Sequence, residues 1–355
     1  MKEFRHGVIG LGAIAGEHIR GVGPLKSLRV AALCNRSPAA LEKWSKELAI
    51  PPRLCFTDYR ELLACPEIDS VSICTPNAQH YEMVRAAIEA GKAFAVEKPF
   101  CLSLEQGEEL KALLEQKPVP HMICFSYRFM PAARYARHLI RSGALGQLRH
   151  VFAQYEQGWG NDESRPLSWR FRKEQSGYGA LGDLGSHLID LIRFMAGEFE
   201  CLSADMGVLM PERVLPDGEG KGKVTVDDYA MFLAKLSGGV PVTYETTRFA
   251  YGRRNYQRIE LYGSRGGLVY TQDLLNGEKA DCLEGCLTEE DFRANRFSRL
   301  EIPQEFNCTQ MEAFERLLCG DQSGLAATLD DGLICQRVMD GAARSARSGK
   351  WERIT

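Results

Sequence analysis

No stretch of the 355-residue chain is apolar for long enough to cross a bilayer, and its first residues, Met1-Lys2-Glu3-Phe4-Arg5, open no signal-peptide core. A reducing, cytoplasmic setting without a membrane partner is the expectation. Charge of one sign is lacking too: 44 Lys and Arg against 47 Asp and Glu leave a net −3, which argues against a nucleic-acid or anionic-membrane surface. The one local basic cluster, Arg248, Arg253, Arg254 and Arg258, reads as a solvated sheet face or a subunit contact. Cysteine is plentiful, at twelve, but metal-ligand spacing is missing. Cys34, Cys74 and Cys124 stand singly in apolar runs, as buried thiols do. The closest pair in sequence, Cys282 and Cys286, has no second pair or histidine nearby to complete a zinc site, so no metal is expected. Repeats are absent, and only Gly218–Gly222 resembles a flexible loop.

What the chain does have is order in its apolar segments. At 45% hydrophobic residues it can fill two cores. Short runs at Val8–Ile9, Val30–Cys34, Ser70–Cys74, Ala93–Val96 and Met122–Phe125 alternate with helical stretches at Ala39–Ala49, Gln79–Ala90 and Leu104–Gln116. That alternation predicts an N-terminal Rossmann domain over 1–125, an α/β doubly wound parallel sheet. Beyond a helix near Pro131–Ser142 the pattern changes. Leu148–Glu156, Thr225–Leu236, Val240–Thr247, Gln257–Tyr262 and Gly267–Thr271 read as strands, with Gly238-Gly239 as a hairpin turn. Residues 126–355 are therefore expected to form a C-terminal α+β domain with a large, mostly antiparallel sheet. Helices at Thr309–Leu318 and Asp330–Ser345 would close it. One sheet face would be covered by helices. The other, left open, would mediate self-association as a homodimer or homotetramer.

Three segments carry chemistry. In Gly10-Leu11-Gly12-Ala13-Ile14-Ala15 a strand enters a glycine turn that opens a helix. Gly10 would make the tight turn, Gly12 would let a pyrophosphate approach the backbone, and the helix amino terminus would face the phosphates. Ala13 and Ile14 belong to that cofactor-binding turn. The second segment, Glu97-Lys98-Pro99, ends a buried-looking strand, so Lys98 would project into the crevice at the carboxyl end of the sheet; the alternative is a solvated lysine in an ordinary loop. In the third, Asp183, His187 and Asp190 are spaced i, i+4, i+7 and would share one helical face. Such a set serves either as a satisfied structural pair or as acid–base machinery.

Taken in order, the motifs resemble those of the Gfo/Idh/MocA oxidoreductases over nearly the whole chain. Further matches are Cys74-Thr75-Pro76-Asn77-Ala78-Gln79-His80, Tyr127-Arg128-Phe129, Trp169-Arg170, Gly179 to Asp190, and Tyr262-Gly263-Ser264-Arg265-Gly266-Gly267. The resemblance implies that Lys98, Asp183 and His187 form the catalytic constellation. It also implies that Thr75, Pro76, Asn77, His80 and Glu97 border an NAD(P) cofactor, and that the Lys98–Pro99 bond is cis. Oxidising a secondary alcohol needs a hydride acceptor, a base for the hydroxyl proton and a positive group for the developing alkoxide. His187 and Lys98 both qualify as the proton acceptor. His6, His18, His121, His138 and His150 lack a comparable setting and read as structural or exposed.

The implied activity is hydride transfer between a nicotinamide cofactor and a secondary alcohol or ketone of a sugar, cyclitol or related polyol. Tyr127, Arg128, Trp159, Trp169, Arg170 and Tyr256, with Tyr178, are candidates for the substrate site, although such polar-aromatic residues equally pack a core. A non-catalytic dinucleotide-binding regulator and an NAD-dependent glycosidase of the same fold are the alternatives; retention of Lys98, Asp183 and His187 together disfavours the regulator. Where many NAD-using members carry an aspartate after the second strand, this chain has Asn35 followed by Arg36 and Ser37. Loss of that negative charge and gain of a planar cation lean the reading to NADP.

Overall fold

The structure, a computed structural model, describes residues 3–275, 278–321 and 323–354. The chain divides into two compact units, one of residues 1–125 with 309–334 and one of residues 126–308 with 335–355.

The first unit begins with β1 (Phe4–Ile9), α1 (Ala13–Val22), β2 (Leu28–Cys34), α2 (Pro38–Glu47), β3 (Cys55–Phe56) and α3 (Tyr59–Ala64). It continues through β4 (Ser70–Ile73), α4 (His80–Glu89), β5 (Ala93–Glu97), α5 (Leu104–Gln116) and β6 (His121–Cys124). These strands form a six-stranded sheet in the order β3-β2-β1-β4-β5-β6, parallel at every pairing. All of β4 and all of β5 except Glu97 are buried. A parallel sheet covered on both faces explains why these strands read as unbroken apolar runs rather than as alternating ones. The order reverses beside β1, which puts a switch point at the carboxyl ends of β1 and β4.

The second unit opens with α6 (Pro131–Arg141), β7 (Leu148–Glu156), α7 (Lys173–Ser176) and α8 (Ser186–Ala196). Then come β8 (Phe199–Gly207), a small hairpin of β9 (Glu212–Val214) and β10 (Lys221–Lys223), β11 (Tyr229–Leu236), β12 (Pro241–Thr247), β13 (Tyr256–Gly263), β14 (Gly267–Leu275), β15 (Glu278–Cys286), α9 (Glu289–Arg293) and β16 (Ser298–Arg299). After α10 (Gln310–Leu318) and α11 (Leu329–Ser348), β17 (Glu352–Arg353) ends the described chain. The large sheet has nine strands in the order β16-β15-β14-β13-β7-β12-β11-β8-β17. It is antiparallel except between β7 and β12. Strand β11 alternates strictly between buried and outward residues, as a sheet packed on one face requires. Gly238 and Gly239, at φ +83° and +79°, join β11 to β12 in the left-handed conformation that such a tight turn needs.

Three readings change. Residues 309–334, expected in the second domain, group with the first unit. There Glu315 accepts a hydrogen bond from the Ser27 amide, Phe314 meets the His6 ring edge-on, and Ala327 bridges to Ile123. Residues 218–222 are not a free loop: Gly218 and Gly220 turn the β9–β10 hairpin at φ +80° and +89°, and Lys221–Lys223 is its second strand. Strands β8 and β15 escape the pattern because charged residues interrupt their apolar positions, Glu200 and Asp205 in one and Asp281 and Glu284 in the other. Among the described residues no helix is long and apolar enough to cross a membrane.

Candidate active site

In the first unit a cleft of about 710 Å³ opens at the carboxyl ends of β1, β2, β3 and β4, and Gly10, Gly12, Asn35, Arg36, Thr75 and Pro76 line it. Gly10 has φ +86°, and a Cβ there would lie 2.8 Å from Thr75 Cγ2 and 2.9 Å from the Cys74 carbonyl. Only glycine fits both demands. At Gly12 a Cβ would meet nothing within 4 Å. The helix that follows has no side-chain cap and no acid in its first turn, which begins with the exposed Ala13 and Ile14. Open space in front of an uncapped helix amino terminus fits a dinucleotide pyrophosphate.

Asn35 braces this turn: its Oδ1 accepts from the Leu11 amide at 3.2 Å, and its Nδ2 donates to the Ser37 carbonyl at 3.4 Å. Arg36 is exposed at the same edge. Asp58, Tyr59 and Arg60 also line the cleft, and the sequence reading missed them because β3 is too short to leave a pattern. His80 is fully buried, with Nδ1 and Nε2 each 2.7 Å from a carbonyl, of Pro99 and Thr75 respectively, so it ties two strand-end loops together. Burial, partly offset by those carbonyls, lowers its pKa. Asn77 starts a 3-10 turn ahead of α4.

Lys98 follows β5, and its bond to Pro99 is cis, as expected. Glu97 accepts from His18 Nε2 at 3.0 Å. His18 Nδ1 and His6 Nε2 each lie 2.8 Å from Ser72 Oγ, while His6 Nδ1 lies 2.8 Å from Ser70 Oγ. Burial, aided by the facing His18, holds the His6 imidazole down at about 3. Both histidines are structural, and His18 reaches the carboxylate beside Lys98.

In the second unit Asp183 and His187 lie four residues apart, but not on one regular α-helix. Leu181–Gly185 is a π turn that runs directly into α8. A π turn inserts an extra residue, so α-helical spacing no longer predicts a shared face. Asp183 is partly exposed, whereas His187 and Asp190 are buried. The turn is clamped from outside. Asp227 accepts from the Gly179 and Leu181 amides, both at 2.7 Å, and Arg248 Nη2 donates to the Gly179 carbonyl at 3.0 Å and to Asp183 Oδ2 at 3.1 Å. Burial pushes the Asp227 carboxyl up against the pull of those amides. Gly179 and Gly185 allow the close fit: a Cβ would come 1.8 Å from the Asp227 carbonyl oxygen at the first and 2.3 Å from Tyr244 Oη at the second.

His187 meets the Tyr127 ring edge-on at 4.7 Å. Behind Tyr127 runs a buried polar network. Asn255 Nδ2 donates to Tyr127 Oη (2.7 Å), Tyr155 Oη donates to Asn255 Oδ1 (2.6 Å), and the two hydroxyls are 2.9 Å apart. Gln157 Nε2 donates to Asn255 Oδ1 at 2.7 Å, and Gln157 Oε1 accepts from Trp159 Nε1 at 2.5 Å. Burial raises both phenols, so they remain neutral near pH 7. Neither Asn255 nor Gln157 was singled out from sequence, since lone amides leave no motif.

The candidate substrate residues separate by environment. Arg128 is buried and grips Asp190 through Nε (2.6 Å) and Nη2 (2.5 Å), so this pair braces α8. Trp159, half-buried, is flanked by the Arg165 and Arg248 guanidinium groups. Arg170 lies over Trp169 at 4.4 Å, Arg253 over Tyr256 at 3.7 Å, and Tyr178 donates to Asp340 at 2.5 Å. The basic cluster proves heterogeneous. The Arg248 side chain is 1% exposed, whereas Arg254 is exposed and Arg258 is paired with Glu260.

Two family models match this architecture: the oxidoreductase family's NAD-binding Rossmann fold over residues 4–125, and the GFO/IDH/MocA C-terminal domain over residues 133–269. An uncharacterised oxidoreductase of Synechocystis sp. is 34% identical over 269 residues, 76% of this chain and 71% of that protein. The chain belongs to the GFO/IDH/MocA oxidoreductase family. The levoglucosan dehydrogenase of Pseudarthrobacter phenanthrenivorans is another relative, 38% identical over 229 residues, 61% of this chain; the match spans 59% of the relative's length. Among solved structures, a levoglucosan dehydrogenase in complex with NADH and levoglucosan superposes with a TM-score of 0.86 at 27% identity, over 99% of this chain and 100% of that one.

Proposed function

We propose that this member of the family is an NAD(P)-dependent dehydrogenase that interconverts a secondary alcohol and a ketone on a sugar, cyclitol or related polyol. The observation that carries the reading is the clamped π turn: it leaves the Asp183 carboxylate partly exposed one turn ahead of a buried His187. Gly10, Gly12 and the first turn of α1 hold the pyrophosphate, Asn35 and Arg36 face the adenosine ribose, and Thr75, Pro76, Asn77 and Glu97 border the rest of the dinucleotide. Bound there, the nicotinamide supplies the hydride acceptor or donor. A ring nitrogen of His187 takes the hydroxyl proton, since imidazole has the side-chain pKa nearest neutrality. The Lys98 ammonium hydrogen-bonds the reacting oxygen and stabilises its negative charge. Asp183 accepts from a substrate hydroxyl and orients the ring to be oxidised.

Arg36 and the absence of a carboxylate at position 35 favour NADP, because an uncharged amide stands there and the planar cation beside it can fork onto a 2′-phosphate. The test is a panel of levoglucosan, inositol, other sugars and aryl glycosides with both cofactors, read by nicotinamide absorbance. The parent turns over at least one sugar or polyol, with the higher kcat/KM for NADP. Asn35→Asp moves the preference toward NAD by roughly 1–3 kcal/mol, the scale of a charge-assisted hydrogen bond. A parent that already prefers NAD strongly and is indifferent to the substitution contradicts the cofactor reading. Glycoside turnover with no net absorbance change contradicts the dehydrogenase reading.

A further inference from the structure

Arg248 is among the most enclosed side chains in the molecule, yet no motif marks it. It stands one residue beyond β12, where its backbone is fixed by donation to the Asp228 carbonyl at 3.1 Å and acceptance from the Gly160 amide at 2.8 Å. Its guanidinium lies 4.8 Å from the centre of the Trp159 ring and 6.0 Å from that of Phe171. Burying a guanidinium is expensive unless it is paired and hydrogen-bonded. Here two aromatic rings lie against it. Nη1 reaches the Arg170 carbonyl at 3.4 Å, and Nη2 is shared between the Gly179 carbonyl and Asp183 Oδ2. A single cation therefore grips both the approach to the π turn, at Gly179, and its middle, at Asp183.

The geometry points to Arg248 as a positioning residue for Asp183: it fixes the carboxylate's orientation, so that Asp183 presents an acceptor to a substrate hydroxyl. This inference rests on the reading of Asp183 as a substrate-orienting group. Oδ2 is held by the buried cation, while the Asp183 side chain remains 30% exposed. Trp159 joins the arrangement from the other side. Its indole carries Arg248 on one side and donates to Gln157, which belongs to the Tyr127–Tyr155–Asn255 network beside His187. The stacked arginine thus links the anchor of Asp183 to the residues behind His187 through side chains of a single unit.

The experiment compares the parent with Arg248→Lys, Arg248→Met and Asp183→Asn. It measures kcat and KM separately for the best substrate of the polyol panel, and NAD(P)H binding by fluorescence. Arg248→Lys keeps the charge but cannot fork, so it should raise KM and lower kcat/KM by about 10-fold. Arg248→Met should lower kcat/KM by about 100-fold, the scale of a misplaced orienting group. NAD(P)H binding should stay at the parental value in both. If Arg248→Met does not fold, the KM-against-kcat split of Arg248→Lys carries the test. Parental kinetics in the folded variants overturn the inference, provided Asp183→Asn is impaired. A parent inactive on every substrate, or an Asp183→Asn variant as active as the parent, overturns the underlying reading instead.

Discussion

At the scale of single residues, burial decides which titratable groups work and which hold structure. His6 is fully buried between Ser70 and Ser72, faces His18, and has its pKa held at about 3, against roughly 6.5 in an unfolded chain. Below pH 6.5 the unfolded chain takes up a proton there that the folded chain refuses until about pH 3. The stability this histidine contributes is thus present above pH 6.5 and drains away as pH falls toward 3. Between pH 7.5 and pH 5 the loss comes to about 2 kcal/mol. Replacing His6 with Asn should therefore weaken the protein more at pH 7.5 than at pH 5, read as the difference in urea midpoints between parent and variant. Equal differences at the two pH values contradict the assignment. The residue scale was also the hardest to read from sequence. Gly10, Gly12 and Lys98 announce themselves because glycine spacing and a strand-ending lysine are local signals. Arg248 and Asn255 act through partners 65 and 128 positions away along the chain, to which neighbouring residues give no clue.

At the scale of elements, the spacing of Asp183, His187 and Asp190 predicts one regular helical face, and the structure has a π turn ahead of the helix instead. Spacing assumes 3.6 residues per turn, and the π turn adds one. The glycines that permit the turn are visible in sequence; the Asp227 and Arg248 contacts that enforce it come from distant strand ends. Asp190 proves to be the structural member of the set, gripped at both oxygens by the buried Arg128. Removing one partner of such a pair strands a buried charge. Arg128→Met or Asp190→Asn should each destabilise the protein by about 3–5 kcal/mol, and the double replacement by less than the sum of the two, in chemical denaturation. Additive losses would show that the two side chains do not depend on each other.

For the whole molecule, alternation of strands and helices specified the first sheet, and period-two patterning specified most of the second. Residues 309–334 were misassigned because helix periodicity shows which face is buried but not what buries it. On the large sheet the same alternation leaves Phe152 and Leu233 41% and 56% exposed, in one row across β7, β12 and β11 with Thr243 between them, and Met231 43% exposed on β11. A row of apolar side chains across the sheet marks an association surface. We propose that two copies pack through this face, so that Leu233→Glu shifts the protein toward monomer in sedimentation velocity at micromolar concentration. A parent that is already monomeric contradicts this.

The central claim is that hydride passes between a sugar or polyol and a nicotinamide under the control of Lys98 and His187. Its most direct test is steady-state turnover on the best substrate of the panel, read at the nicotinamide absorbance band for the parent, Lys98→Met and His187→Asn, with NAD(P)H binding measured alongside. The account predicts turnover in the parent, a fall of ~10²–10⁴ in each variant, and cofactor binding largely kept. Full turnover in either variant, or no substrate-dependent absorbance change in the parent with any sugar or polyol, would contradict it.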